Sequence, residues 1–303
     1  MKGAKAAPFL IFSRGGMMTE RGLQHIAEHV YWMPPGPPDR PSLCAVVGSE
    51  HTLMLDAGAS DAHARLFLEA LAAQGVRPPR YVALTHWHWD HIFGAAELRI
   101  PVIAHRMTAQ EIAVQARYSW SDAALDTRVA EGKEIAFCAD NIKLELPEPR
   151  RVRILLPEII FDDSLHIHLG DVTCRIQHVG GDHAADSCII YVEPDGVLFL
   201  GDCLYDAIYA PTRYLTRKNL FPLLDKLLSL DAAWAVEGHT PTVYSREAFA
   251  ALAEKIKLVG TLVGQYGENE AAVLEAVQRQ TSTVPDEDTV SLVQAFIAGR
   301  GME

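Results

Sequence analysis

The run Thr85-His86-Trp87-His88-Trp89-Asp90-His91 constrains this chain more than any other stretch. It places three imidazoles and a carboxylate within six residues, directly after the apolar segment Tyr81-Val82-Ala83-Leu84. An apolar segment ending in such a cluster reads as a strand that delivers metal-binding side chains at its end. His86 and His88 alternate with Trp87, so in an extended turn their side chains point the same way and can grip one ion. Asp90 and His91 fall on the first turn of a helix expected through residues 92–98 and face a neighbouring position. Ligands this dense suggest two adjacent metal sites.

The flanking chain predicts an α/β arrangement. Strands are expected at 26–33, 43–47 and 52–56, with the Pro34-Pro35-Gly36-Pro37-Pro38 loop breaking the first two apart. Ser60 caps a helix over 61–74 whose apolar face holds Leu66, Phe67, Ala70 and Leu71, and Gly75 stops it. Strands follow at 81–84 and 102–104. In such strand-helix-strand arrangements, sites form at strand ends. Residues 107–151 carry helical patterns at 108–118 and 121–132, then breakers at Asp140-Asn141 and Pro147 to Pro149, and read as a helical lid insertion. A second sheet is expected from strands at 159–161, 165–169, 173–178, 187–192, 197–200 and 233–236, with a helix at 221–230. From 245 onward the pattern is helical in three pieces broken near Gly264 to Gly267 and at Pro285.

The formal net charge of −12 argues against a general nucleic-acid binder, because phosphate neutralisation needs a basic surface. The five cysteines are odd in number, scattered and without a C-x-x-C pair, the usage of reduced thiols in a cytoplasmic protein. No apolar run approaches the roughly eighteen residues needed to span a bilayer. Residues 1–20 read as a loose leader, with Met17 or Met18 as an alternative start, and Arg14 interrupts what would otherwise imitate a signal peptide. Serine-nucleophile, Walker and dinucleotide motifs are absent.

The spacing His86-x-His88-x-Asp90-His91 after a strand resembles the signature of the metallo-β-lactamase superfamily. The rest of the family's pattern follows in order: His183 within Gly180-Gly181-Asp182-His183, Asp202 within Phe199-Leu200-Gly201-Asp202, and His239 within Glu237-Gly238-His239-Thr240. The resemblance covers roughly residues 25–243. It implies an αβ/βα four-layer sandwich over 21–244, with residues 245–303 as a helical extension packed on it. It also implies a first metal held by His86, His88 and His183, a second held by Asp90, His91 and His239, and Asp202 bridging them. Asp56, in the family's Asp-x-Gly element, is expected to orient ligands from outside. Imidazole and carboxylate donors suit zinc, and also iron or manganese.

The function implied is a dinuclear metal-dependent hydrolase in which a metal-bridging hydroxide attacks an ester, thioester, lactone or amide carbonyl of a small molecule. Asp202 and Asp90 are its catalytic carboxylates, with proton delivery as a further role for Asp90. The alternatives are a phosphodiesterase or nuclease of the same superfamily, an iron-dependent oxidoreductase, and a non-catalytic metal-binding domain. Asp182 before His183 departs from the family's plain third element, and Asp202 stands where clinical zinc lactamases have cysteine, so β-lactam hydrolysis is not expected. Cys203 is expected to pack in the core. Substrate-pocket candidates are Trp87, Trp89, Trp120, Tyr205 and Tyr209, with a buried, hydrogen-bonded phenol as the plainer expectation for the tyrosines. His105 and His178 are candidates for a place near the cluster, and His166 and His168 read as a surface hairpin. The C-terminal helices carry apolar stripes suited to core cover or to a homodimer surface; neither nucleic acid nor membrane is expected as a partner.

Overall fold

The computed structural model describes residues 22–302; the expected leader lies outside this range. Two sheets stack face to face between two layers of helix. The first sheet runs in sequence order, β1 (Gln24–Ala27), β2 (Val30–Met33), β3 (Leu43–Val47), β4 (Thr52–Leu55), β5 (Tyr81–Ala83), β6 (Val102–His105) and β7 (Ile159–Phe161). Its first four strands are antiparallel, and β4 to β7 are parallel. The second sheet has the order β13 (Val243–Ser245), β12 (Trp234–Glu237), β11 (Val197–Gly201), β10 (Cys188–Glu193), β9 (Thr173–His178), β8 (Ser164–His168), with β11 and β12 parallel.

Period-two patterning makes both sheets two-sided. In β3, Cys44 and Val46 face the layer between the sheets while Leu43 and Ala45 face helices. In β11, Val197 and Phe199 face inward, and Leu198 and Leu200 face the other helical layer. Burying both faces is what permits near-continuous apolar strands here. The first helical layer holds α1 (Asp61–Ala73), the single turns α2 (Trp89–Ile92) and α3 (Ala95–Leu98), α4 (Arg106–Gln115), α5 (Asp122–Ala130) and α6 (Ala136–Glu145). Ser60 caps α1 as expected, its hydroxyl accepting from the His63 amide at 3.0 Å. The second layer holds α7 (Arg217–Leu228), α8 (Arg246–Tyr266), α9 (Glu270–Thr281) and α10 (Glu287–Gly299). Val259, Leu262 and Val263 of α8 and Leu292, Val293 and Phe296 of α10 complete the core over the second sheet. The apolar stripes of the C-terminal helices are therefore core cover.

Several expectations need correction. The continuous strand at 26–33 is a tight hairpin, β1 and β2. The single helix at 92–98 is two turns separated at Phe93-Gly94. Strand β13 and helix α6 lie outside the expected elements; α6 forms through Asp140-Asn141 because Cys138, Ala139 and Ile142 bury one face, and burial overrides weak propensity. Residues 107–151 do more than cover: Ile112, Trp120, Leu125, Cys138 and Ile142 belong to the core on the outer face of the first sheet. All five cysteines are buried and free, Cys203 in the core beneath α7.

The two sheets are also tied by a polar link. His29, in the β1–β2 turn, donates its amide and its Nδ1–H to Asp195 in the β10–β11 turn, both at 2.7 Å, with Asp171 at 3.7 Å from Nε2. Burial alone would lower the pKa of His29, but the hydrogen bond and charge of Asp195, with Asp171 and Glu28, hold it above the ordinary 6.5. A raised folded-state pKa means the link contributes fully below the unfolded value and fades as pH rises through the folded one. The melting temperature of His29→Gln should thus lie furthest below wild type in mildly acidic buffer and converge on it as pH rises; a gap independent of pH contradicts this. At the inter-sheet layer, Ile176→Ala should cost about 2–5 kcal/mol in urea unfolding, the range for truncating a fully buried aliphatic chain.

Candidate metal centre

Strands β4, β5, β11 and β12 end at one edge of the sandwich, and the segments leaving them carry the polar cluster. Asp56 follows β4, Thr85 to His91 follow β5, Asp202 follows β11 and His239 follows β12. His183 arrives from the β9–β10 connection. Backbone bonds stitch this edge together: Cys188 donates to the Thr85 carbonyl at 2.8 Å, Gly238 to the Gly201 carbonyl at 2.9 Å, and Ser42 to the Gly238 carbonyl at 2.6 Å.

Seven side chains converge in two groups. His86, His88 and His183 form one; Asp90, His91, Asp202 and His239 form the other, and within each group the ligating atoms lie within 4.8 Å of one another. Oδ2 of Asp202 reaches both: it lies 3.3 Å from Nε2 of His91 and of His239, 3.4 Å from that of His183 and 3.9 Å from that of His86. Oδ2 of Asp90 lies 3.0 Å from Nε2 of His239 and 3.3 Å from that of His91.

The outer side of the cluster is as ordered as the inner. Nδ1 of His91 bonds to Oδ2 of Asp56 at 2.8 Å, Nδ1 of His86 to Oγ1 of Thr85 at 3.0 Å, and Nδ1 of His183 donates to the Asp206 carbonyl at 3.1 Å. Asp56 also accepts from the Thr85 amide at 2.7 Å, and holds a left-handed φ of 57°, a conformation that aspartate tolerates better than most residues. Its place is outside the two groups, against His91. Asp182, the residue that departs from the family pattern, accepts from the Thr216 amide at 2.7 Å and from Thr216 Oγ1 at 2.9 Å, at the N-terminus of α7. Asp186 accepts from Thr108 of α4 at 2.7 Å. The loop carrying His183 is therefore held from both helical layers.

Burial lowers the pKa values of His86, His88 and His183, reinforced by neighbouring imidazoles, so this group is neutral with free lone pairs. In the other group, burial is outweighed by attraction. Asp90 and Asp202 hold His91 and His239 well above the ordinary imidazole range, and those imidazoles hold both carboxyls well below the ordinary carboxyl range. Nε2 of His86, His88, His91 and His183, and Oδ1 of Asp202, are buried with no hydrogen-bond partner. Leaving such atoms unsatisfied costs about 1–3 kcal/mol each. Five orphaned polar atoms aimed at one small volume, with Thr85, Asp56 and the Asp206 carbonyl fixing three of the rings from behind, fit a metal centre.

Of the expected pocket residues, Trp87 and Tyr209 stand beside the cluster. Their rings are 5.1 Å apart, and each lies close to His88, at 4.5 and 5.2 Å. Gln115 of α4 donates to the Trp87 carbonyl at 3.0 Å, and burial, with Cys138 and Glu134 of the 107–151 segment close by, pushes the Tyr209 phenol well above its ordinary range. Trp89 and Trp120 are not pocket walls: both pack edge-on against Phe93 in the core. Tyr205 is buried, its hydroxyl accepting from the His239 amide at 3.2 Å and meeting Thr240 Oγ1 at 3.3 Å, so it fixes the His239 backbone. His105 and His178 stack on each other with centroids 4.0 Å apart and join neither donor group. The sequence gives no sign of Asp39, which the proline-rich loop brings to 3.6 Å from Nδ1 of His239, nor of Glu237, buried beneath the site and accepting from Thr240 Oγ1 at 2.8 Å. Burial raises Asp39 to about 8 against the pull of His239, and raises Glu237 to about 7. Beside His239 opens a cleft of about 300 Å³ lined by Pro35, Pro37, Pro38, Asp39, Arg40 and Pro241.

Comparison with known proteins agrees with this architecture. Residues 37–244 match the model of the metallo-beta-lactamase superfamily. The human acyl-coenzyme A thioesterase MBLAC2 is 25% identical over 185 residues, covering 55% of this chain and 60% of that protein, so the chain spans under two thirds of the relative's length. A metallo-beta-lactamase family protein of Thermus thermophilus superposes with a TM-score of 0.57 at 19% identity, over 92% of this chain and 95% of that one. The sec-alkylsulfatase Pisa1 from Pseudomonas sp. superposes with a TM-score of 0.60 at 15% identity, over 92% of this chain and 50% of that one. Strand order, the converging donor groups and a family match over more than half its length make this chain a member of the metallo-beta-lactamase superfamily.

Proposed function

We propose that the chain is a dinuclear metal-dependent hydrolase of acyl bonds, with a thioester or ester of a small molecule as its substrate. The observation that carries this reading is the convergence of seven donor side chains on one volume, with Asp202 Oδ2 facing both groups. Two divalent cations, zinc being the best match to the donors, would supply an acidified water and a Lewis acid for the carbonyl oxygen. His86, His88 and His183 would hold one, Asp90, His91 and His239 the other, and Asp202 both. Asp56, Thr85 and the Asp206 carbonyl keep three of the rings in the tautomer that presents Nε2 inward.

The proline-walled cleft beside His239 is where the acyl substrate would enter. The guanidinium on its wall, Arg40, is already engaged by both oxygens of Glu145, at 2.9 and 3.0 Å, and the His239 ring faces Asp39, Asp90 and Asp202. An apolar cleft with a neutralised guanidinium favours an acyl group over a polyanion and, with the net charge of −12, weighs against a nuclease. The 25% identity to a thioesterase supports placing thioesters first. Trp87 and Tyr209 supply an aromatic wall next to His88.

On protein of defined metal content, acyl thioesters and esters should be hydrolysed, phosphodiesters should not, and His88→Ala should fall to background. Failure of the metal-loaded protein to cleave any acyl thioester, ester, lactone or amide would sink the proposal. A second expectation concerns Gly238, whose added Cβ would strike Oδ1 of Asp202. Gly238→Ala must therefore displace the shared carboxylate. We expect it to weaken metal binding roughly 10–100-fold or more, since even outer-sphere changes have that effect, and elemental analysis after dialysis would detect it.

A further inference from the structure

We propose that Asp39 is a positioning residue for His239, and that through this ring it sets how tightly the group Asp90, His91, Asp202 and His239 holds its ion. The inference rests on the two-metal reading above. It starts from a regularity in the site. Three of the rings that aim Nε2 at the centre have their other nitrogen fixed: His86 by Thr85, His91 by Asp56 and His183 by the Asp206 carbonyl. For His239 the side chain facing Nδ1 is Asp39, whose Oδ1 stands 3.6 Å away. The orientation of this ring matters, because its Nε2 lies 3.0 Å from Asp90 and 3.3 Å from Asp202, and a small rotation would lose both.

The loop that carries Asp39 is built to keep it there. Prolines at 34, 35, 37, 38 and 41 fix φ along the segment. Gly36 and Arg40 exchange backbone hydrogen bonds at 2.8 and 2.9 Å, closing a tight ring with Asp39 inside it. Arg40 is clamped by Glu145 at the end of α6, and Glu145 is further bonded by the Ser60 hydroxyl. On the other side, the Ser42 amide and hydroxyl bond to the Gly238 and Glu237 carbonyls at 2.6 and 2.8 Å, so the loop is fastened to the residues just before His239. A loop fastened in this way, with only 7% of the Asp39 side chain exposed, keeps that carboxyl facing the ring.

Asp39 also makes the two positions unequal. The position served by Asp90, His91 and His239 has Asp39 and Asp56 behind it; the outer partners identified for the all-histidine group are a hydroxyl and a carbonyl. Removing Asp39 should therefore affect one ion and leave the other alone.

The test loads wild type, Asp39→Ala and Asp39→Asn with zinc, dialyses each against graded chelator, and counts ions per chain by elemental analysis. Melting of the metal-free proteins controls for folding. Asp39→Ala should release one of two ions at a free-zinc level roughly 10–100-fold higher than wild type does, with the second ion unmoved. Asp39→Asn, which keeps an oxygen toward Nδ1, should fall between them. Equal release by wild type and Asp39→Ala overturns the proposal, as does loss of both ions in step or a shift accompanied by a matching fall in metal-free stability. Wild type binding fewer than two ions would instead sink the two-metal reading on which the proposal stands.

Discussion

One carboxylate oxygen organises this molecule's functional edge. Oδ2 of Asp202 lies within 3.9 Å of four imidazole nitrogens that come from three separate loops. That proximity requires β11 to end beside β12 in one sheet, and opposite β5 in the other. The sandwich supplies both conditions. Two glycines supply the space: a Cβ at 201 would come within 2.8 Å of Thr85, and one at 238 would strike Asp202 itself. The core between the sheets thus acts on chemistry by fixing the distance between strand ends.

The two donor groups resolve the problem of burying charge differently. His86, His88 and His183 stay neutral and carry only orphaned lone pairs. The Asp90, His91, Asp202 and His239 group concentrates opposite charges that stabilise one another in a low-dielectric setting. Outer partners keep both arrangements from collapsing into other hydrogen bonds. They are drawn from the segments after β4, β5 and β11 and from the proline-rich loop, so rigidity reaches the site from several independent elements.

What can be read from the sequence follows chain distance. His86, His88, Asp90 and His91 are legible because four donor side chains fall within six residues after an apolar strand. His183, Asp202 and His239 are legible because each ends or joins a strand in the order of a known pattern. Strand periodicity reveals both sheets, since inward and outward faces are both apolar or alternate cleanly. Asp39 leaves no trace, because it lies far along the chain from its partner and looks like an ordinary loop aspartate. Trp89 and Trp120 mislead for the opposite reason: closeness in sequence to ligands or to a covering segment says nothing about which way an indole packs, and Phe93 draws both inward. Helix α6 is hidden by Asp140-Asn141, whose unfavourable propensity is small beside the burial of Cys138, Ala139 and Ile142.

The claim from which the rest follows is that this edge holds two metal ions sharing Asp202. Anomalous diffraction at the zinc edge from zinc-loaded crystals examines it without reference to any substrate. The account predicts two peaks, one among His86, His88 and His183 and one among Asp90, His91 and His239, with Asp202 between them. A single peak, or peaks lying elsewhere on the surface, would contradict it.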